Sequence, residues 1–205
     1  MKNVIKDAMI LFAITLVAGL LLGIVYDVTK EPIAAQNEKA KTQACQNVFE
    51  EAAGFEAFTE FDVETASTSL SEAGITGVDI NEIMYAKDVS GVVLGYVITV
   101  TDHEGYGGDI QFSMGITNEG VLNGISLLSI SETAGLGMKA GDVLVPQFAN
   151  KQVERFSTSK TGSTNDSEID AISGATITTD AIVNGVNGGL AYFQKELKGG
   201  GSTNE

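Results

Sequence analysis

The sequence predicts an α+β protein in which one N-terminal transmembrane helix precedes a single domain, an antiparallel sheet flanked by helices. Three observations predict it. Ala8 to Tyr26 (AMILFAITLVAGLLLGIVY) is a charge-free apolar run of 19 residues, long enough as a helix to cross about 30 Å of hydrocarbon. The middle of the chain alternates apolar and polar residues between glycine-rich turns, as half-buried strands do. The end carries apolar residues at helical spacing.

Lys2 and Lys6 precede the apolar run as the n-region of a signal peptide would, but the run exceeds a usual h-region, and DVTKEP follows where a small-residue cleavage site would stand. Cys45 lies too far beyond the run to be a lipoprotein cysteine. Basic residues flank the span almost evenly, with Lys2 and Lys6 before it and Lys30, Lys39 and Lys41 after it. With so short a tail, the expected orientation is N-terminus cytoplasmic and main domain outside, in the cell membrane. After Pro32, Ile33, Ala40, Ala44, Val48 and Ala52 recur at helical spacing, so a juxtamembrane helix is expected up to Gly54, with Cys45 as one of its small apolar residues. Phe55 to Ile83, acidic and rich in Ser and Thr, is expected to be a solvated connection.

GVVLGYVITVTD, DIQFSMGI and VLNGISLLSI, separated by HEGYGG and TNEG, read as a three-stranded antiparallel meander. In the second, Ile110, Phe112, Met114 and Ile116 form a buried face against Asp109, Gln111, Ser113 and Gly115. SETAGLG follows as a loop whose glycines admit either a tight turn or a close ligand. STSKTGSTND reads as loop and SEIDAIS as a strand. From Thr178 to Leu197, Ile182, Val186, Leu190, Phe193 and Leu197 make one apolar helix face, ended by Lys195, Lys198 and a glycine run. The expected division is 1–30 for the cytoplasmic tail and span, 31–84 for the juxtamembrane helix and acidic connection, 85–198 for the folded domain, and 199–205 for a mobile tail.

A net charge of −15, one Arg and one His argue against nucleic acid and anionic lipid surfaces, which this chain would repel. A lone His103 cannot build a His-rich metal centre, so no metal ligands are assigned. A single cysteine leaves no iron–sulfur cluster for this chain to hold alone. Redox work would need an organic cofactor.

The segment DAISGATITT, Asp170 to Thr179, crowds small residues and hydroxyls at a helix entrance. An ordinary capped turn would look like this, and so would a phosphate seat, because small residues let an anion approach unpaired N–H groups. Thr176, Thr178 and Thr179 are rival hydroxyls for any covalent attachment there.

DAISGAT matches the flavinylation pattern D-x-x-[ST]-G-A-[ST], ETAGLG resembles the ETPGLG segment of the FMN-binding domain family, and GYGGDIQFSMGI resembles its GYGG turn and following strand. With one N-terminal span, the whole chain resembles the G subunit of Rnf electron transport complexes, related to the C subunit of sodium-pumping NADH:quinone reductases. The resemblance implies an extracytoplasmic FMN-binding domain with FMN bonded covalently to Thr176 through a phosphoester. Asp170, Ser173, Gly174 and Ala175 would complete the attachment motif. Glu132, Thr133, Leu136 and Gly137 would line the flavin, with Tyr106 as a further wall residue. It also implies an electron carrier with no substrate site or catalytic residue of its own. Its partners would be iron–sulfur and NAD-binding subunits and a second flavin subunit of an ion-translocating ferredoxin:NAD+ oxidoreductase, with a flavin transferase for maturation. A quinone reductase or electron-export system is the alternative that keeps the flavin; an anchored exterior binding or scaffold module is the one that drops it. Ala134 stands where the family often has Pro, and Ser131 where relatives commonly carry His; neither touches the attachment motif.

Overall fold

The computed structural model describes residues 2–198; the expected tail at 199–205 lies outside them. The chain divides into two units, Met1–Ala40 and Lys41–Glu205. The first consists of most of helix α1 (Lys2–Val48). It is long and apolar enough to cross a membrane, and Leu11, Phe12, Leu21 and Leu22 are well exposed on it. Side chains of this kind all round a helix suit lipid rather than water. The helix continues through Pro32 and ends at Val48, short of Gly54.

The second unit is built on a five-stranded antiparallel sheet in the order β1-β2-β3-β4-β5. Its strands are β1 (Gly54–Ala57), β2 (Val78–Lys87), β3 (Val93–Asp102), β4 (Ile110–Thr117) and β5 (Leu122–Ser129). The last three are the expected meander. β1 and β2, with α2 (Val63–Glu72) between them, replace the solvated connection expected over Phe55 to Ile83. Their apolar signal is diluted by acidic residues on outer positions: Asp79, Glu82 and Glu64 face outward while Ala66, Leu70, Val78, Ile80 and Ile83 are buried. Asp62 caps α2, its carboxylate accepting from the Thr65 N–H at 2.8 Å.

Period-two alternation gives β3 two buried faces. Tyr96, Ile98 and Val100 join Phe112, Met114 and Ile116 of β4 in the main core, whereas Val97 joins Ala86 in a second cluster with Cys45, Val48 and Phe49 from the end of α1. The face of β4 expected to be wet is therefore covered over Ser113 and Gly115. Gly115 permits that cover, since a Cβ there would lie 2.6 Å from the Val48 carbonyl oxygen.

After β5, a 3₁₀ turn (Gly137–Lys139) leads to α3 (Ala140–Val143), and a short parallel pair, β6 (Ser157–Ser159) and β7 (Glu168–Asp170), precedes α4 (Thr176–Tyr192). A π-helical turn, Phe193–Leu197, extends α4. Ile182, Val186, Leu190, Phe193 and Leu197, the expected apolar face, are all buried in the main core.

Gly115→Ala should destabilise the domain by about 1–3 kcal/mol, the usual cost of overpacking, as read by chemical denaturation. Cys45, buried in the native protein, should then react faster with a thiol reagent.

Candidate functional site

Three segments meet at the N-terminal end of α4: the turn 103–109 between β3 and β4, the loop 130–136 after β5, and the first turn of α4 itself. Between them opens a cleft of about 470 Å³ lined by Tyr106, Glu132, Thr133, Leu136, Gly137, Gly174, Ala175, Thr176, Ile177 and Thr178. That volume lies in the range of small-molecule sites.

The local sequence explains the shape. Gly174 has φ +80°, a left-handed conformation that glycine adopts without strain. It delivers Ala175 as the N-cap of α4, with no side-chain oxygen to cap the helix. Backbone N–H groups of the first turn thus keep their anion-binding capacity. The three hydroxyls of that turn differ sharply. Thr179 Oγ1 is buried, accepting from the Ile172 N–H at 3.1 Å and donating to the Ala175 carbonyl at 3.0 Å. Thr178 Oγ1, also buried, donates to Glu132 Oε2 at 2.9 Å. Thr176 is half-buried at the cleft, and among the described residues no hydrogen bond engages its hydroxyl.

Glycines set the width of the cleft. At Gly107 a Cβ would stand 2.0 Å from the Ser131 carbonyl oxygen, and at Gly137 one would stand 2.6 Å from Thr178 Oγ1. Tyr106, Leu136 and Ile177 keep large exposed apolar surfaces at the rim, suited to a flat aromatic ring. An uncapped helix end for a phosphate, a free hydroxyl beside it and apolar walls together fit FMN.

Eight of the ten residues assigned from the sequence stand in this lining; Asp170 and Ser173 do not. Asp170 anchors the approach to the helix instead: its carboxylate accepts from the Ser163 N–H, and its backbone pairs with the Gln147 amide at 2.7 and 3.2 Å. Ser173 is exposed. Ile177 and Thr178 are lining residues that sequence reasoning did not assign, although both follow the motif within one helical turn.

Residues 105–191 match the FMN-binding domain family and residues 1–48 the RnfG N-terminal region. The chain is 36% identical over 199 residues to the G subunit of the Na(+)-translocating ferredoxin:NAD(+) oxidoreductase complex of Acetobacterium woodii, covering 96% of this chain and 95% of that one. This chain belongs to the RnfG family. A second member, the G subunit of the ion-translocating oxidoreductase complex of Methanosarcina acetivorans, is 27% identical over 198 residues, 95% of this chain and 97% of its own. The crystal structure of the C subunit of Na(+)-translocating NADH-quinone reductase from Parabacteroides distasonis has the same fold, with a TM-score of 0.56 at 18% identity over 81% of this chain and 96% of that chain. Every residue lining the cleft falls inside the matched FMN-binding domain. FMN is the cofactor, and the N-terminal helix makes this RnfG-family chain a single-pass membrane protein.

Two titratable groups brace the turn that forms one wall. Asp102, fully buried, accepts from the Glu104 N–H at 2.8 Å and from Asn184 Nδ2 at 2.9 Å. Burial nonetheless pushes its carboxyl above the usual carboxylate range. His103 stands between Asp109 (Nδ1 to Oδ1, 2.9 Å) and Asp79 (Nε2 to Oδ2, 3.0 Å), and hydrogen bonds to Asp109, then Asp79, raise its pKa above the ordinary 6.5. The native state therefore holds this proton to higher pH than the unfolded chain does. Its stabilisation is complete below about pH 6.5 and fades as pH rises through the elevated value. Because the group is exposed, the effect is small, about 0.2–1 kcal/mol. His103→Gln should lower stability at pH 5.5 and do so much less at pH 9, as measured by denaturant titration at the two pH values.

Proposed function

We propose that this chain carries electrons through FMN esterified to Thr176, as the G subunit of an ion-translocating ferredoxin:NAD+ oxidoreductase, with the flavin domain on the extracytoplasmic side. One observation carries the attachment site: among the described residues, of the three hydroxyls in the first turn of α4 only that of Thr176 stands at the cleft without a hydrogen bond, while Thr178 and Thr179 are buried and engaged. Relatives named as ferredoxin:NAD(+) oxidoreductase subunits, one Na(+)-translocating and one proton-translocating, support the assignment to such a complex.

FMN supplies one- and two-electron chemistry when bound. The chain's own residues hold it. Gly174 and Ala175 clear the way to the N–H groups of the first turn, whose dipole favours the phosphate charge. The Thr176 hydroxyl would be the group that a flavin transferase esterifies. Leu136, Ile177 and Tyr106 offer apolar cover to the ring. Covalent attachment keeps an exterior cofactor from being lost to dilution, because its effective concentration at the site no longer depends on the surroundings. Iron–sulfur and NAD-binding subunits supply the centres on either side.

Full-length protein produced with a flavin transferase should keep flavin fluorescence in a denaturing gel and show a mass increase on the peptide containing Thr176. Thr176→Ala should lose both while folding normally, and Thr176→Ser should retain them. Persistent fluorescence in the alanine variant would refute this site.

A further inference from the structure

Glu132 holds the cleft together. Its Oε1 accepts from the Gly107 N–H at 3.1 Å and its Oε2 accepts from Thr178 Oγ1 at 2.9 Å, so one side chain from the loop after β5 ties the 103–109 turn to the first turn of α4. The glycines around it are shaped to the carboxylate. A Cβ at Gly105 would stand 2.9 Å from Oε1, and one at Gly137 would stand 2.7 Å from the Glu132 Cβ and 2.9 Å from Oε2. Two glycines, one just before the YGG turn and one in the GLG segment, therefore leave room for this side chain together with the Gly108 carbonyl and the Thr178 hydroxyl, which a Cβ would meet at 2.3 and 2.6 Å.

We propose that Glu132 is a positioning residue of the flavin site that fastens these two segments and places a fixed negative charge in the wall, lowering the reduction potential of the bound flavin. The proposal rests on the FMN reading of the cleft. A carboxylate only accepts hydrogen bonds, and here two donors from separate elements meet it. Among the described residues no cation pairs with it, leaving its two hydrogen bonds and the α4 dipole to offset its charge. Electron uptake by the flavin adds negative charge, and an unpaired carboxylate in the same wall opposes that gain. Engagement by Glu132 also keeps the Thr178 hydroxyl occupied beside the free Thr176.

The test uses the full chain, co-produced with a flavin transferase, as wild type, Glu132→Gln and Glu132→Ala. Glutamine keeps the shape and removes the charge, so its flavin midpoint in a spectroelectrochemical titration should rise above wild type with attachment retained. Alanine removes the clasp, so amide exchange at Gly107 should quicken at least about tenfold, as expected for a lost charge-assisted hydrogen bond, while glutamine stays nearer wild type. A Glu132→Gln midpoint equal to wild type, or Gly107 exchange in Glu132→Ala equal to wild type, would overturn the proposal. Absence of esterified flavin from the wild type would sink the Thr176 reading alone, since the midpoint comparison then runs with FMN bound reversibly and still supports or overturns the role of Glu132.

Discussion

The close seat of α4 on the sheet is the constraint on which the rest of the domain depends. At Gly185 a Cβ would stand 2.9 Å from Phe112 Cζ, at Gly188 2.9 Å from Val78 Cγ1, and at Gly189 2.1 Å from Met114 Sδ. Three interior glycines weaken an isolated helix by about 1 kcal/mol each relative to alanine. In this fold they let the helix backbone approach the strands, and the buried face from Ile182 to Leu197 offsets that cost. Polar clasps fix the register: Asn187 exchanges two hydrogen bonds with the Phe156 backbone at 2.7 and 3.0 Å, and Asn184 donates to Thr76 and Asp102.

Once the helix axis is set, so is the place of its first turn. Gly174 and Ala175 end the approach from β7, Thr179 stitches that approach to the helix, and the uncapped N–H groups open toward the turn after β3. Asp102 braces that turn from beneath and Glu132 draws it toward Thr178. The site is thus a junction of three loops whose spacing is inherited from sheet and helix, an arrangement that lets a rigid scaffold present a ligand-binding surface. Burial of the Asp102 carboxylate is tolerated because two donors meet it, which fits a group whose work is structural.

Much of this was legible along the chain. The span announces itself by an unbroken apolar run, the three central strands and the C-terminal helix by periodicity, and the DAISGAT segment by its crowding of small residues. β1, α2 and β2 were harder to see. Their buried residues are interleaved with acids that the pleat and the helix turn outward, so a local count of charge reads as solvated loop. The covered side of β4 was equally hidden, because Ser113 and Gly115 look wet until the end of α1 is laid across them.

Local pattern sufficed for the class of each main element and for the motif that marks the helix entrance, since hydrophobic periodicity and glycine chemistry are properties of neighbouring residues. Tertiary structure alone decided which hydroxyl is free, that Glu132 belongs to Gly107 and Thr178, and that Asp170 supports the approach instead of lining the cleft. The reason is physical. The clasp at Glu132 depends on hydrogen-bond partners 25 and 46 residues away, whose meeting is set by the packing of α4 on the sheet and by no property of either segment taken separately.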